Sequence, residues 1–269
     1  DVLSPSDYVK WQYELAMLNP PNGINTYQGY FGNYQDIDLY DEVEANDWQE
    51  LVFGRIGNTF NHNLNVSGGS DKTKYVVSYN HIKDKAIMQL SDFKRDNLSM
   101  KLSHKPNKKI TLDLSMRYSN TQVNGGGANE QKEVSSADSR LKYAMIYPPF
   151  PVNGLTNSTE TDDDFNLYNP LVAISDNDRF QKRVVYNLNA GLTWKFTNEL
   201  QLRTEVGMDD YRNTDNRFYG NTTYYVKNIP AQENKEFPAV IFANTSRDSY
   251  RNTNTLSYDF KKLLSGDHN

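Results

Sequence analysis

Side chains able to do chemistry are few in this chain, and they are scattered. The histidines at 62, 81, 104 and 268 show no pair at metal-ligand spacing. His62 and His81 fall in strand-like sequence, where a structural role is the expectation. Asp162-Asp163-Asp164 offers hard oxygen ligands but has no calcium-loop frame around it, so it reads as a solvated acidic loop. No phosphate-binding glycine loop or nucleophile elbow is present, and the absence of cysteine excludes disulfides and thiolate metal sites. The sequence therefore predicts no catalytic residue, no metal site and no cofactor. What remains is aromatic: Tyr143, Tyr147, Phe150 and Tyr168 in one polar stretch, and Tyr219, Tyr224 and Tyr225 in a second. Ring faces stack on the C–H faces of sugars while neighbouring Asn and Asp side chains hydrogen-bond hydroxyls. The competing role for the same rings is to pack the loops together or to meet a partner protein.

The elements that would carry these loops are strands. In residues 109–119, KITLDLSMRYS, the side chains of Ile110, Leu112, Leu114, Met116 and Tyr118 alternate with Thr111, Asp113, Ser115, Arg117 and Ser119. Successive strand residues point to opposite faces, so one face suits an apolar medium and the other suits water. The pattern begins after Asp47 and recurs at 60–68, 74–82, 95–104, 183–197, 199–211 and 250–261. Tight turns at 68–71, 105–108 and Asn198 alternate with longer connections at 83–93, about 120–182 and about 213–249. An up-and-down sheet of about seven strands would then carry all its short turns at one end and all its long loops at the other. Ahead of the strands, Ser4-Pro5-Ser6-Asp7 has the spacing of a capping box and predicts a short helix over Tyr8 to Leu18, stopped by Asn19-Pro20-Pro21-Asn22-Gly23. Residues 24–46, rich in Gly, Asn, Tyr and Asp, read as loop.

Composition narrows the apolar medium. The hydrophobic fraction is 37%, yet the chain holds 19 Tyr, 12 Phe and 3 Trp, which suits strands apolar on one face only. A mean hydropathy of -0.80 and the lack of any long apolar run exclude a membrane helix. A membrane strand, which needs only about 9–11 alternating residues, is not excluded. Short turns at one end with long loops at the other is the asymmetry of outer-membrane barrels, and the strand-end aromatics Tyr118, Tyr186, Trp194, Phe196, Tyr211, Tyr258 and Phe260 suit interfacial girdles. A soluble or surface-attached β-sheet module that binds glycans is the alternative. The net charge of -5 argues against a nucleic-acid partner.

DWQELVF (47–53), NHNLNVSGGSDKTKYVVSYNH (61–81) and SDFKRDNLSMKLSHKPNKKITLDLSMRYS (91–119) together resemble the early barrel of the SusC/RagA family of TonB-dependent outer-membrane transporters of Bacteroidota. LSPSDYVKWQYELAML (3–18) is similar to the helical segment after that family's first barrel strand. The resemblance covers about 1–120. It implies an all-β fold: antiparallel up-and-down strands forming part of a large transmembrane β-barrel with long extracellular loops and a short N-terminal helix. It divides the chain into 1–46, helix and loop, and 47–269, partial barrel. It further implies import of oligosaccharides or peptides, a SusD-like surface lipoprotein as partner, TonB acting through a plug and TonB box outside these residues, and contact with membrane lipid. Barrels of this class have about 22 strands, so seven amount to an internal fragment with two unpaired sheet edges.

Overall fold

The computed structural model describes residues 3–125, 144–145, 147–150, 169–221, 223, 226 and 237–260. Helix α1 (Pro5–Ala16) starts as its sequence dictates: Ser4 Oγ accepts from the Asp7 N–H at 3.1 Å and donates to the Asp7 carboxylate at 2.7 Å. Two further helical segments replace the loop expected over 24–46, namely α2 (Asn22–Phe31) and a 3-10 helix (Tyr34–Glu42). Their composition is poor for helix, and tertiary packing overrides it. Tyr27 and Phe31, one turn apart on α2, close against Tyr8 and Val9 of α1, with Ile37 and Phe150 completing the cluster. Gly23 starts α2 hard against the Ala16 carbonyl, where a Cβ would collide. A third departure lies just after Asp47. That residue caps α3 (Trp48–Phe53) by accepting from the Glu50 N–H at 2.9 Å, so 47–53 is helical and the strands begin later.

The strands are β1 (Asn58–Gly69), β2 (Thr73–Lys85), β3 (Asp92–His104), β4 (Ile110–Asn124), β5 (Asn177–Lys195), β6 (Leu200–Tyr219) and β7 (Ala239–Tyr258). They form one antiparallel sheet in sequential order, the up-and-down arrangement expected, and the sheet does not close on itself. A short helix, α4 (Pro170–Ser175), leads into β5. The three tight turns share one device. Ser70 Oγ, Asn107 Oδ1 and Thr197 Oγ1 each accept the backbone N–H groups two and three residues ahead, at 2.8–3.3 Å. A side-chain oxygen that mimics a backbone turn fixes the register of each hairpin.

At the opposite end the connections are shorter than the sequence suggests. The β2–β3 link is confined to 86–91, β4 runs on to Asn124, and β5 to β7 reach into the segments expected to be loop. The cause is visible in the residue types. Stretches such as Asn177–Lys182 and Arg212–Tyr219 are polar on both faces, so the alternation that reveals a half-buried strand disappears while the backbone pairing continues.

Candidate functional site

Register aligns the alternating side chains into rows that cross the whole sheet. On one face Val66, Val77, Met100, Met116, Leu188, Met208 and Tyr250 stand side by side on β1 to β7. Toward the tight turns follow the rows of Leu102, Leu114, Ala190 and Val206, then of Leu112 and Leu192, then of Ile110, Trp194, Leu202 and Leu256. Toward the long loops the band ends at Leu64, Tyr79, Leu98, Tyr118 and Tyr186. Aromatic pairs mark both borders: Tyr118–Tyr186 at 4.9 Å between ring centroids on one side, Trp194–Phe196 at 4.5 Å and Tyr258–Phe260 at 4.7 Å on the other. From Tyr186 to Trp194 the band takes nine residues of β5, at the lower end of the about 9–11 that a tilted membrane strand needs. No other layer covers this face among the described residues, and Leu64, Val206 and Leu256 are more than half exposed. An uncovered apolar surface of this extent marks a contact with lipid or protein.

The opposite face is mainly polar, with Val76, Val185 and Tyr211 among the exceptions, and its polar side chains bond laterally. Asn80 donates to Asn61 and Asn63 (2.8 and 2.6 Å), Asn97 to Asn80 (3.4 Å) and Ser119 to Asn97 (2.7 Å), a ladder from β1 to β4. Farther along, Arg203 bonds Glu205 (2.6 Å) and Thr193 (3.2 Å) and lies 3.5 Å from Asp113, while Asn187 donates to Asp209 at 2.6 Å. Gly191 opens a recess of about 330 Å³ there, lined by Lys74, Lys101, Asp113, Asn189, Arg203 and Glu205. Beyond the band, toward the long loops, Asp215 accepts from Arg179 Nε and Nη2, both at 2.8 Å, and from Arg217 Nη2 at 2.9 Å. Burial pushes the Asp215 carboxyl up, but the two guanidiniums outweigh it and hold the group at about 2.

The helices gather at the long-loop end. Trp48 Nε1 donates to the Pro148 carbonyl at 2.7 Å and the Asn46 N–H to the Pro149 carbonyl at 2.5 Å. Arg55 donates to the carbonyls of Ala86 (2.9 Å) and Ser91 (2.7 Å), and Gln89 Nε2 to that of Leu51 (2.7 Å). These bonds tie the N-terminal region to the β2–β3 and β4–β5 connections as one cap. A cavity of about 630 Å³ lies within it, lined chiefly by Tyr8, Trp11, Leu15, Tyr27, Trp48 and Tyr147. Burial pushes the Tyr8 and Tyr27 hydroxyls up to about 12, and those of Tyr40 and Tyr147 upward as well.

The loop aromatics separate accordingly. Tyr147 packs edge-on against Trp48 at 5.2 Å and lines the cap cavity; Phe150 is buried between Tyr8, Phe31 and Tyr40. Tyr219, 1% exposed, ends β6 away from both, 3.5 Å from Arg217. Tyr143, Tyr168, Tyr224 and Tyr225, like Asp162-Asp163-Asp164 and His268, lie outside the described residues. His81 pairs with Asp96 at 2.7 Å and His104 with Thr73 at 2.8 Å, and no cluster able to hold a metal occurs among the described residues. Sequence reasoning missed Trp48, Arg55 and Gln89, whose role in the cap depends on partners 31 to 100 residues away.

No protein-family profile matches the chain. A curated relative, TonB-dependent receptor P3 of Formosa agariphila, is 23% identical over 224 residues, covering 80% of this chain and 20% of its own length. Among solved structures, the RagAB peptide transporter aligns with a TM-score of 0.59 at 15% identity, over 96% of this chain and 30% of the other. The RagAB peptide importer in its open-open state gives 0.61 at 14% identity with the same coverage. The chain thus spans about a fifth of the curated relative and under a third of the solved chains. In sequence it resembles a TonB-dependent receptor, and in fold it matches one part of such a barrel. No described helix is long and apolar enough to cross a membrane.

Proposed function

We propose that this chain forms part of the wall and outer cap of a SusC/RagA-type outer-membrane transporter. That transporter imports an oligosaccharide or a peptide with energy delivered through TonB, and no bond in the cargo is made or broken. The apolar band carries the reading. It is widest on β2 to β5, thins on β7 to Tyr250, Leu256 and Tyr258, meets aromatic borders at Tyr118–Tyr186 and Trp194–Phe196, and backs a mainly polar wall. A soluble glycan-binding sheet would cover such a band with a second layer. In the barrel, Arg117, Asn187, Asn189, Lys195, Arg203 and Glu205 face the lumen or plug, while Leu112, Leu114, Leu188, Leu192 and Leu202 face lipid.

The cap sits at the extracellular end, where a SusD-like lipoprotein would dock and hand over cargo. Tyr147, on the wall of the cap cavity, is the described loop aromatic best placed to touch cargo; Phe150 supports the cap from within, and Tyr219 is buried at the end of β6. Tyr143, Tyr168, Tyr224 and Tyr225 are assigned to ligand contact on residue type alone. Solution of the full-length protein from outer membranes in detergent, followed by mass spectrometry of what co-purifies, tests the proposal. A surface lipoprotein with a bound oligosaccharide or peptide is expected. A protein that stays soluble without detergent and carries no lipoprotein would overturn it.

A further inference from the structure

Just beyond the Tyr79–Leu98–Tyr118–Tyr186 border the lipid-facing side of the sheet changes character. Two residues farther along each strand stand His81, Asp96, Asn120 and Val184; two farther again stand Lys83, Lys94, Gln122 and Lys182. All four of the latter project from the outward face of β2 to β5. Lys83 and Lys94 are direct cross-strand partners, a like-charge pair that is destabilising unless an anion lies nearby. The nearest acid is occupied: Asp96 takes hydrogen bonds at 2.7 Å from both His81 and Tyr79, and Lys94 Nζ comes only within 3.9 Å of it. One step higher, Asp92 is engaged by Arg55 at 3.3 Å. Lys83, Lys94 and Lys182 are exposed, and no acid within 4 Å is assigned to Lys83 or Lys182 among the described residues.

The height fits a headgroup layer. Four residues along a strand is about 13 Å, which becomes about 10 Å above the aromatic border for a strand tilted by about 40°. Lysine stems bend back toward the interface, bringing the ammoniums into the polar layer that extends about 5–7 Å beyond the hydrocarbon. Laterally, Lys94 and Lys182 are two strands apart, about 10 Å, with the Gln122 amide between them. Clusters of lysine beside a membrane border attract anionic lipid headgroups.

We propose that the outward face of β2 to β5 above this border binds the phosphate groups of an outer-leaflet glycolipid, with Lys83, Lys94 and Lys182 as its cations and Gln122 as a neutral donor. The inference rests on the membrane-barrel reading, and the test separates the two. Full-length protein is inserted into phosphatidylcholine vesicles, insertion is scored by heat-modifiable migration, and retained lipid is then measured by native mass spectrometry. The probes are bisphosphorylated lipid A, the same lipid stripped of phosphate, and free inorganic phosphate.

Tight retention of the phosphorylated lipid is expected, with about a hundredfold loss in Lys83→Gln/Lys94→Gln/Lys182→Gln. Loss on removing the lipid phosphates, and full retention in Lys101→Gln on the opposite face, complete the expected pattern. Equal retention by the triple variant, by the stripped lipid or after competition with millimolar phosphate alone would overturn the site. If the triple variant fails to insert, Lys94→Gln and the charge-preserving Lys83→Arg/Lys94→Arg/Lys182→Arg decide the matter, the first losing lipid and the second keeping it. Failure of the unsubstituted protein to insert counts against the barrel reading instead.

Discussion

Arginine at Leu114 places a charge midway between the two aromatic borders, two rows from Tyr118 and two from Trp194. A lipid-facing Arg at the bilayer midplane costs about 2–4 kcal/mol, falling to about 0–1 kcal/mol near the interfaces. Leu114→Arg should therefore lower the folded-to-unfolded ratio roughly thirtyfold to about nine hundredfold. Leu188→Arg, one row nearer the extracellular border, should cost less, and Tyr118→Arg least. The sharpest control is one residue away. Ser115→Arg points to the polar wall, beside Lys101 and Asn189, and should cost under about 1 kcal/mol. Denaturant unfolding of the full-length protein in vesicles, followed by heat-modifiable gel migration, measures all four. The reasoning fails if Ser115→Arg is as harmful as Leu114→Arg, or if the cost does not depend on depth.

Three further outcomes follow from the cap and the strand ends. Asp215→Asn leaves the Arg179 and Arg217 guanidiniums facing each other with no carboxylate between them. A loss of about 2–4 kcal/mol is expected, read as earlier proteolysis near the ends of β5 and β6. Because the folded Asp215 sits at about 2, below its unfolded value near 4, its contribution is complete above about pH 4. It should fade as pH falls toward 2, and Asp215→Asn should abolish that acid dependence. The Tyr8 and Tyr27 hydroxyls are raised to about 12, above an unfolded value of about 10, so their contribution is intact below about pH 10 and lost as pH rises to 12. Tyrosinate absorbance should show this late-titrating subset while the cap resists protease; a single transition near pH 10 with the cap intact would contradict it. The Tyr27 hydroxyl is buried and finds no hydrogen-bond partner among the described residues. Tyr27→Phe should thus be neutral or stabilise the cap by up to about 1 kcal/mol in thermal unfolding, whereas Trp48→Phe, which strips the Pro148 carbonyl of its donor, should destabilise it by about 1–3 kcal/mol.

The strands were readable wherever one face is apolar and the other polar. Residues 110–118 and 186–194 alternate because each position faces one side of the sheet only, and the register aligns them row by row. Legibility stops at the edge of the apolar band. Above it Asn177–Lys182 and Arg212–Tyr219 carry polar side chains on both faces, buried ones such as Asn177, Arg179 and Asp215 included, so the side chains no longer record the pairing of their backbones. Helices α2 and α3 were hidden for a different reason. Asn22–Phe31 holds two glycines, two asparagines and a threonine, and it folds because Tyr27 and Phe31 meet α1 and Phe150, more than a hundred residues away. Trp48–Phe53 resembles strand in composition, yet the Asp47 cap and the long-range bond from Trp48 select a helix. The aromatic loop residues announced their chemistry but not their burial, since Tyr147 and Phe150 became interior only through helices the sequence did not display.

These 269 residues contain no cysteine, so a single introduced thiol in this segment reports on its own position. Nitroxide labels placed one at a time at 110 to 119 in the full-length protein, in bilayers, give the most direct test of a membrane-spanning wall. Even positions should be accessible to oxygen from the lipid phase, with greatest depth at 114, and odd positions to a water-soluble nickel reagent. Equal aqueous accessibility at even and odd positions would contradict the account.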